Sequence, residues 1–534
     1  MNKGRLPVHQ VLAANYQLST VNCRYESCPA QYFCRLSGVC DEMGAVLRLS
    51  ALSPNIKDRL DFSCAIFDAQ GRLCAQAAHI PVHLGSMAYA MADLVSDRDW
   101  QPGDLLVVND PYMGGTHLPD VTVVAPVFGA ASLIGFAVTR AHHANIGAHS
   151  PGSMPVSTRL DQEGIVIAPS WLKRGGQWQV PLCRELSGAL PVESRRFADF
   201  VAQASACEAG ARRLAELADQ QADLVAAFDA LNRYGEKRAR ARIAALPDGC
   251  YRFQDYMDDD GQGQQDIVIA VTLTIAGELA RLDFSGTADQ VAGNINCPLS
   301  VAAAAAYYCF RCLMDDDVPA CDGLFRPISL SAPQGSLLNA NRPAAVAAGN
   351  VETSSRVVDV VLGALAQAAP EAIPAASQGT MNNVAMGAAG ENGWDYYETM
   401  AGGTGAHARG PGLSAVHSHM TNTLNTPIES LESHYPLRVH RYQVRRGSGG
   451  DGQFVGGDGL VRELEFLGDA QVTLLTERRR HAPWGLAGGQ LGAVGENRHN
   501  GELLPPKTSF TARAGDRLLV ASPGGGGYCD TKCK

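Results

Sequence analysis

The residues best able to do chemistry crowd into two neighbouring strings, GDLLVVNDPYMGGTHLPDVTVVAPVF and TRAHHANIGAHSPGSMP, which carry Asp110, His117, Asp120, His142 and His143. Neutral imidazoles mixed with carboxylates form a nitrogen and oxygen donor set suited to Mn2+, Zn2+ or Fe2+, and an incomplete set leaves room for water or substrate. His117 and Asp120 are three apart, but Pro119 between them argues against a helix interior and for a turn entering a strand. Spacing leaves another reading open, in which the histidines are ordinary buried side chains and Asp120 a turn former. Asp61, just ahead of the apolar run FSCAIF, is either a further oxygen donor or a turn residue at a strand start. His79 and His83 flank Pro81, and structural roles are expected for both.

A second polar stretch, GLSAVHSHMTNTLNTPIESLE, brings together His417, His419, Asn422, Thr423, Asn425, Thr426, Glu429 and Glu432. Amides and hydroxyls of this kind hold a substrate amide or carboxylate through neutral hydrogen bonds, or else satisfy the backbone of an irregular buried loop. Three successive arginines in TERRRHAPWGLAGG suit a phosphate or carboxylate, although a solvated charge run is the commoner meaning. The phosphate-cradling G-x-x-x-x-G-K-[ST] loop is absent, and no Gly-Lys dipeptide occurs. GSGGDG at 447–452 fits G-x-G-x-x-G formally, but QFVGGDG follows it where a helix is required, so it reads as a turn.

The elements that must position these residues follow from periodicity. FSCAIF, the turn DAQG and RLCAQ form a hairpin signal, with Gly71 where a positive φ is needed. LLVVN, VTVVAPVF and LIGFAVT are three further strands, and the candidate donors sit at their ends. Residues 192–246 carry apolar positions at three and four spacing, which predicts a helical hairpin acting as a scaffold or docking element. IVIAVTLTIAGELARLDFSGT returns to strand, VAAAAAYYCFRCLM and VVDVVLGALAQAA to helix, and LVRELEF and AQVTLL are scattered strands in a glycine-rich last third. The fold class expected is α+β, with mixed sheets in several layers, a helical hairpin insertion and glycine-rich loops. The expected division is a β-rich unit with the metal site over 1–190, helices over 191–247, a central α+β unit over 248–400 and a glycine-rich β unit over 401–534.

Length and composition agree with this: 534 residues, 46% hydrophobic, and 56 glycines that imply many tight turns. A net charge of −10 with no basic stripe gives no support to nucleic-acid binding. The opening MNKGRLPVHQ lacks an apolar signal region, and the run Val301–Phe310 is too short to span a bilayer, so a cytoplasmic location is expected. Fifteen cysteines are then expected as thiols: Cys23, Cys28, Cys34 and Cys40 lack paired zinc-knuckle spacing, and Cys309 and Cys312 read as buried structural thiols.

The strings DFSCAIFDAQGRLCAQAAHIPVHLGSM, GDLLVVNDPYMGGTHLPDVTVVAPVF, RAHHANIGAHSPGSMP, GNVETSSRVVDVVLGAL, ASQGTMNN, HSHMTNTLNTPIESLE, RRRHAPWGLAGG and PGGGGY resemble, in order and spacing, the hydantoinase B / 5-oxoprolinase family, over about residues 42–528. That resemblance implies a B-type subunit paired with a hydantoinase A-type, ATP-binding chain in a hetero-oligomer acting on hydantoins, 5-oxoproline or lactams; acetone and acetophenone carboxylases are related heteromers. It places metal ligands on Asp61, His117, Asp120 and His142, and ATP in the partner rather than in this chain. O-phosphorylation makes a poor amide electrophile reactive, and a divalent metal assists attack on its carbon. His143 and Asp110 are the expected proton carriers by their adjacency to the ligands, and Asn422, Thr423, Asn425 and Thr426 the expected substrate contacts. An ATP-dependent ketone carboxylase subunit and a scaffold that has lost its chemistry are the alternatives. Two stretches depart from the family pattern: the cysteine-rich residues 1–40, which do not read as its usual helical start, and HHANIGA, where Asn145 and Ala148 replace an acid and a glycine.

Overall fold

Apolar runs that Gly, Pro and Asp separate in the sequence become neighbours in one antiparallel sheet. The computed structural model describes residues 29–77, 80–129, 132–189, 195–220, 224–390 and 393–530. Its first sheet contains β1 (Phe62–Asp68), β2 (Leu73–Gln76), β3 (Leu105–Val108), β4 (Asp120–Phe128), β5 (Leu133–His142), β6 (Ser170–Arg174) and β7 (Gln177–Trp178), in the order β2-β1-β5-β4-β3-β6-β7. The β1–β2 hairpin turns at Gly71, whose φ is +76°. There L side chains are strained and glycine is not.

Register decides what meets at the sheet's end. β1 and β4 both run antiparallel to β5, with Phe62 opposite Ala141 and Asp120 opposite His142. The starts of β1 and β4 therefore flank the finish of β5, and the His142 N–H donates to the Asp61 carbonyl at 3.0 Å. A slip of one residue would turn every side chain to the other face, so two buried faces hold this register firmly.

Both faces are covered, which is why β1 is buried at every position instead of alternating. Helix Pro29–Ser50 and helix Arg195–Gln220 lie on one side, helix Pro81–Val95 on the other. The expected helical hairpin is the pair Arg195–Gln220 and Leu224–Ala244. The chain is helical from Pro29, which corrects the reading of the stretch before residue 40. Leu36, Val39, Cys40, Met43 and Leu47 recur at three and four spacing and are all buried, with Cys40 serving as a small apolar residue. Cys34 on the same helix is exposed; Cys23, Cys28 and His79 lie outside the described residues. Of the C-x-x-C pair, Cys309 is buried as expected, whereas Cys312, at the helix end, is exposed.

Helix Pro81–Val95 packs on helix Leu299–Arg311 through Gly85, where an added Cβ would lie 2.6 Å from the Ala304 Cα. A second sheet joins Gly249–Asp259, Gln265–Ala276, Leu279–Asp283 and Ile328–Ser331, and helix Ser354–Ala368 packs on it. A third pairs Asn383–Ala388 and Trp394–Glu398 with Ala470–Leu475 and Lys507–Ala512, so it joins residues on both sides of position 400. A five-stranded C-terminal sheet completes the α+β architecture. Among the described residues no helix is long and apolar enough to cross a membrane.

Candidate metal centre

Asp120 is the hub of a buried polar cluster at the start of β4. Its N–H donates to the His117 carbonyl at 3.2 Å, the turn that Pro119 announced, and this folds the His117 ring back over the carboxylate. His117 Nε2 lies 3.0 Å and His142 Nδ1 3.2 Å from Asp120 Oδ1. His83 Nε2 lies 3.2 Å from Oδ2, to which Thr116 donates at 2.8 Å and Asn350 Nδ2 at 3.1 Å. His117, Asp120 and His142 are all buried and offer ligand atoms within 4.8 Å of one another.

The electrostatics follow from burial working against near charges. Burial alone raises the Asp120 carboxyl, but His117 and His83 beside it outweigh that and hold it well below its usual value. His117 is the mirror case: burial disfavours its charge, Asp120 wins, and the ring's pKa is raised. For His142 burial wins over Asp120 and Asp61, so its pKa is lowered. The two rings diverge although both touch Oδ1, because His117 is also supported by the Ala347 carbonyl and by Glu163. Arg140, buried under the cluster, bonds to Thr122, to Ser86 and to the Gly114 carbonyl, which fixes the loop that leads to His117.

Several observations say that this donor set fits a divalent cation. His117 Nδ1 lies 3.2 Å from the Ala347 carbonyl oxygen, so in the neutral ring the proton belongs on Nδ1 and Nε2 turns a lone pair toward a carboxylate oxygen. Two acceptors that close require a cation between them, whether a proton or a metal ion. His142 Nε2 and Asn350 Oδ1 are buried without a hydrogen-bond partner. Both residues line a cavity of about 20 Å3, and Asp61 adds its carboxylate to the same wall. Unspent lone pairs around so small a space are costly to bury and are relieved by a bound cation. Imidazole and carboxylate together suit Mn2+, Zn2+ or Fe2+ better than the all-oxygen cages of Ca2+.

The expected site residues thus fall into groups. His117, Asp120 and His142 converge, and Asp61 faces the same cavity as His142 while pairing with Arg59 at 3.6 Å. His143 packs against Phe200 with Nε2 2.9 Å from Gln203 on helix Arg195–Gln220, and Asp110 is held by Arg342 and accepts the Tyr112 N–H. Neither lines the cavity. Thr423 does, sharing a 2.9 Å hydrogen bond with Thr399, while Asn425 donates to the Thr399 carbonyl and the Thr426 N–H to Glu398. Asn422 is exposed. Asn145 donates to both oxygens of Asp395. The arginine run splits: Arg478 is buried against Asp255 and Asp359, Arg479 bonds to Asn382 and Asn497, and Arg480 is on the surface.

Sequence reasoning missed His83, Asn350 and Tyr397. His83 is buried on the first turn of its helix, against the site, and Asn350 comes from GNVET, which forms a π-helical turn over Gly349–Thr353. Such turns often mark functional sites, but a single glycine-led pentapeptide does not announce one. Tyr397 stacks on His142 with ring centres 4.6 Å apart.

Comparison with known proteins gives the family of the whole chain. The family model described as "Hydantoinase B/oxoprolinase" matches residues 32–531. The chain is 38% identical to 5-oxoprolinase 1 of Arabidopsis thaliana over 92% of its own length, but spans only 41% of that protein. It is 34% identical to the putative B-type subunit of a D-/L-hydantoinase from a Pseudomonas species, covering 92% of this chain and 88% of the other. Among solved structures, the ATP-dependent caprolactamase from Pseudomonas jessenii superposes with a TM-score of 0.87 at 30% identity, over 94% of this chain and 90% of that one.

Proposed function

This chain belongs to the hydantoinase B/oxoprolinase family, and from that premise we propose that it is the metal-bearing B-type subunit of an ATP-dependent cyclic-amide hydrolase. The observation that carries the proposal is the buried His117–Asp120–His142 cluster beside a cavity lined by unspent acceptors. A separate A-type chain binds ATP, in keeping with the lack of a phosphate-binding loop here. The 88% coverage of a relative named as a subunit, against 41% of a much longer 5-oxoprolinase, supports that division of labour. The ATP dependence named for the caprolactamase supports the energy source.

Hydantoins, 5-oxoproline and lactams share a resonance-stabilised amide that resists water. Phosphorylation of its oxygen by the A-type chain provides a leaving group and exposes the carbon. Asp61, His117, Asp120 and His142 would hold a divalent ion, which would supply positive charge for developing oxyanions and make water more acidic. The chain's own groups set the stage for this. His83 donates to Asp120 Oδ2 and, with Asn350 and Thr116, fixes the carboxylate's orientation. Ile80, Val82, Val351, Met381 and Met420 wall the cavity and keep bulk water out. The hydroxyls of Thr399 and Thr423 lie on the same wall and are joined to each other by a hydrogen bond.

The test is reconstitution with the A-type chain and assay of hydantoin, 5-oxoproline and caprolactam for ring opening. Opening that requires both ATP and a divalent ion, and that His142→Ala abolishes, is the expected result. Fixation of labelled bicarbonate onto a ketone without ring opening, or full activity in Asp120→Asn, overturns the proposal.

A further inference from the structure

His142 presents an unpartnered Nε2 to the cavity, yet its side chain makes a single hydrogen bond, from Nδ1 to Asp120. A ring held at one point can still tilt about that contact. What limits the tilt is Tyr397, whose ring lies within 11° of parallel at 4.6 Å. Tyr397 is itself fixed at its far end: its hydroxyl donates to Asn383 Oδ1 at 2.6 Å, away from His142. Asn383 has both amide hydrogens spent, one on Glu352 Oε1 at 2.6 Å and one on the Leu475 carbonyl at 2.9 Å, so its oxygen cannot be exchanged for its nitrogen.

Glu352 is the odd member of this chain of contacts. It is fully buried, its Oε1 also accepts the Met381 N–H, and its Oε2 has no partner. Burial pushes its carboxyl up to about 7. Burying a carboxyl to orient one asparagine is expensive unless that asparagine matters. Glu352 stands on the π-helical turn Gly349–Thr353, whose Asn350 reaches Asp120 and His117. One turn of chain therefore reaches the centre twice, directly through Asn350 and indirectly through Glu352, Asn383 and Tyr397.

We propose that Glu352, Asn383 and Tyr397 are a positioning column for the metal centre, which fixes the plane of the His142 ring and thereby sets how tightly the centre holds its ion. The proposal rests on the reading of the cluster as a metal site. None of the three residues touches the ion. Their effect passes through the imidazole, as outer partners of metal-bound histidines commonly do.

The experiment measures Mn2+ and Zn2+ affinity of the full chain by competition with a chromophoric chelator, and records the visible spectrum of the Co2+-loaded protein. Tyr397→Leu and Asn383→Leu are expected to weaken binding by about 10- to 100-fold and to shift the Co2+ bands. Tyr397→Phe keeps the stack and loses the anchor, so an intermediate loss is expected. Glu352→Gln keeps an acceptor for Asn383 and restores near-native affinity where Glu352→Leu does not, which separates orientation from general damage. Wild-type affinity and spectrum in folded Tyr397→Leu and Asn383→Leu, with binding lost in Asp120→Asn, overturn the column and leave the metal site standing. Should Asp120→Asn bind like wild type, the metal reading itself falls, and the column with it.

Discussion

Two regions of this molecule bury several charges, and they do so in opposite ways. Between the second and third sheets Arg478 pairs with Asp255 at 2.7 Å and Asp359 at 2.5 Å, Lys507 with Glu477 at 2.5 Å, and Arg356 with Glu477 at 3.2 Å. At the start of β4 the carboxylate of Asp120 faces three imidazoles instead. A guanidinium does not release its proton in a protein, so the arginines of the first network keep their charge and their work is to lock sheets together. An imidazole gives up its proton readily, so the second cluster is able to exchange protons for a metal ion. Buried charge alone does not mark a functional site; exchangeable buried charge beside a cavity does.

Substitutions that damage one region and spare the other sharpen this contrast. Arg478→Met takes the guanidinium from Asp359 and leaves Asp255 only Arg356 at 3.8 Å, so a loss of roughly 3–5 kcal/mol in stability is expected from chemical denaturation, with cation affinity of the remaining folded protein unchanged. A large loss of affinity without loss of stability would break the comparison. Asp120→Asn reverses the pattern: divalent affinity falls by roughly 100-fold or more, while the fold survives in circular dichroism. His143→Gln is expected to change affinity by no more than about twofold, because its ring faces helix Arg195–Gln220. A loss as deep as that of Asp120→Asn would return His143 to the reacting centre.

The subtlest prediction concerns Glu163, which lies between the site and the core. It accepts hydrogen bonds from Ser157 and from the N–H groups of Val346 and Ala347, and Ala347 in turn holds His117. Burial pushes its carboxyl up from 4.5 to about 7. A carboxyl whose folded value is raised holds its proton more tightly in the native state. Its contribution is therefore full below about 4.5 and is lost as pH rises through about 7. Glu163→Gln keeps an acceptor but cannot ionise, so its melting temperature relative to wild type should climb between about pH 5 and pH 8, by the equivalent of at most roughly 3 kcal/mol. A pH-independent difference would show that Glu163 does not change its protonation over this range.

Much of the first sheet was legible because its signals are local. Strand runs, the Gly71 turn and the Pro119 break each lie within a few residues, and they placed His117, Asp120 and His142 at strand ends. Asn350 was not legible, because it meets Asp120 across 230 positions of chain. His83 looked structural because a histidine beside Pro81 carries no sign of which helix face will be buried. The arginine run misled in a different way: consecutive residues on an irregular segment point in different directions, so Arg478 went into the core and Arg480 to solvent. Cysteines at 34 and 40 concealed a helical period that becomes plain once Cys40 is counted as apolar.

By itself the sequence determined the strands, the helical hairpin, the family resemblance and a short set of donors, since periodicity and turn chemistry act over a few residues. Only the tertiary structure decided that Asp120 lies opposite His142, that His143 turns away, and that Tyr397 and Asn350 complete the wall. The reason is that strand register and the close approach of distant elements are settled by which faces are buried together, and that is a property of the packed chain rather than of any segment.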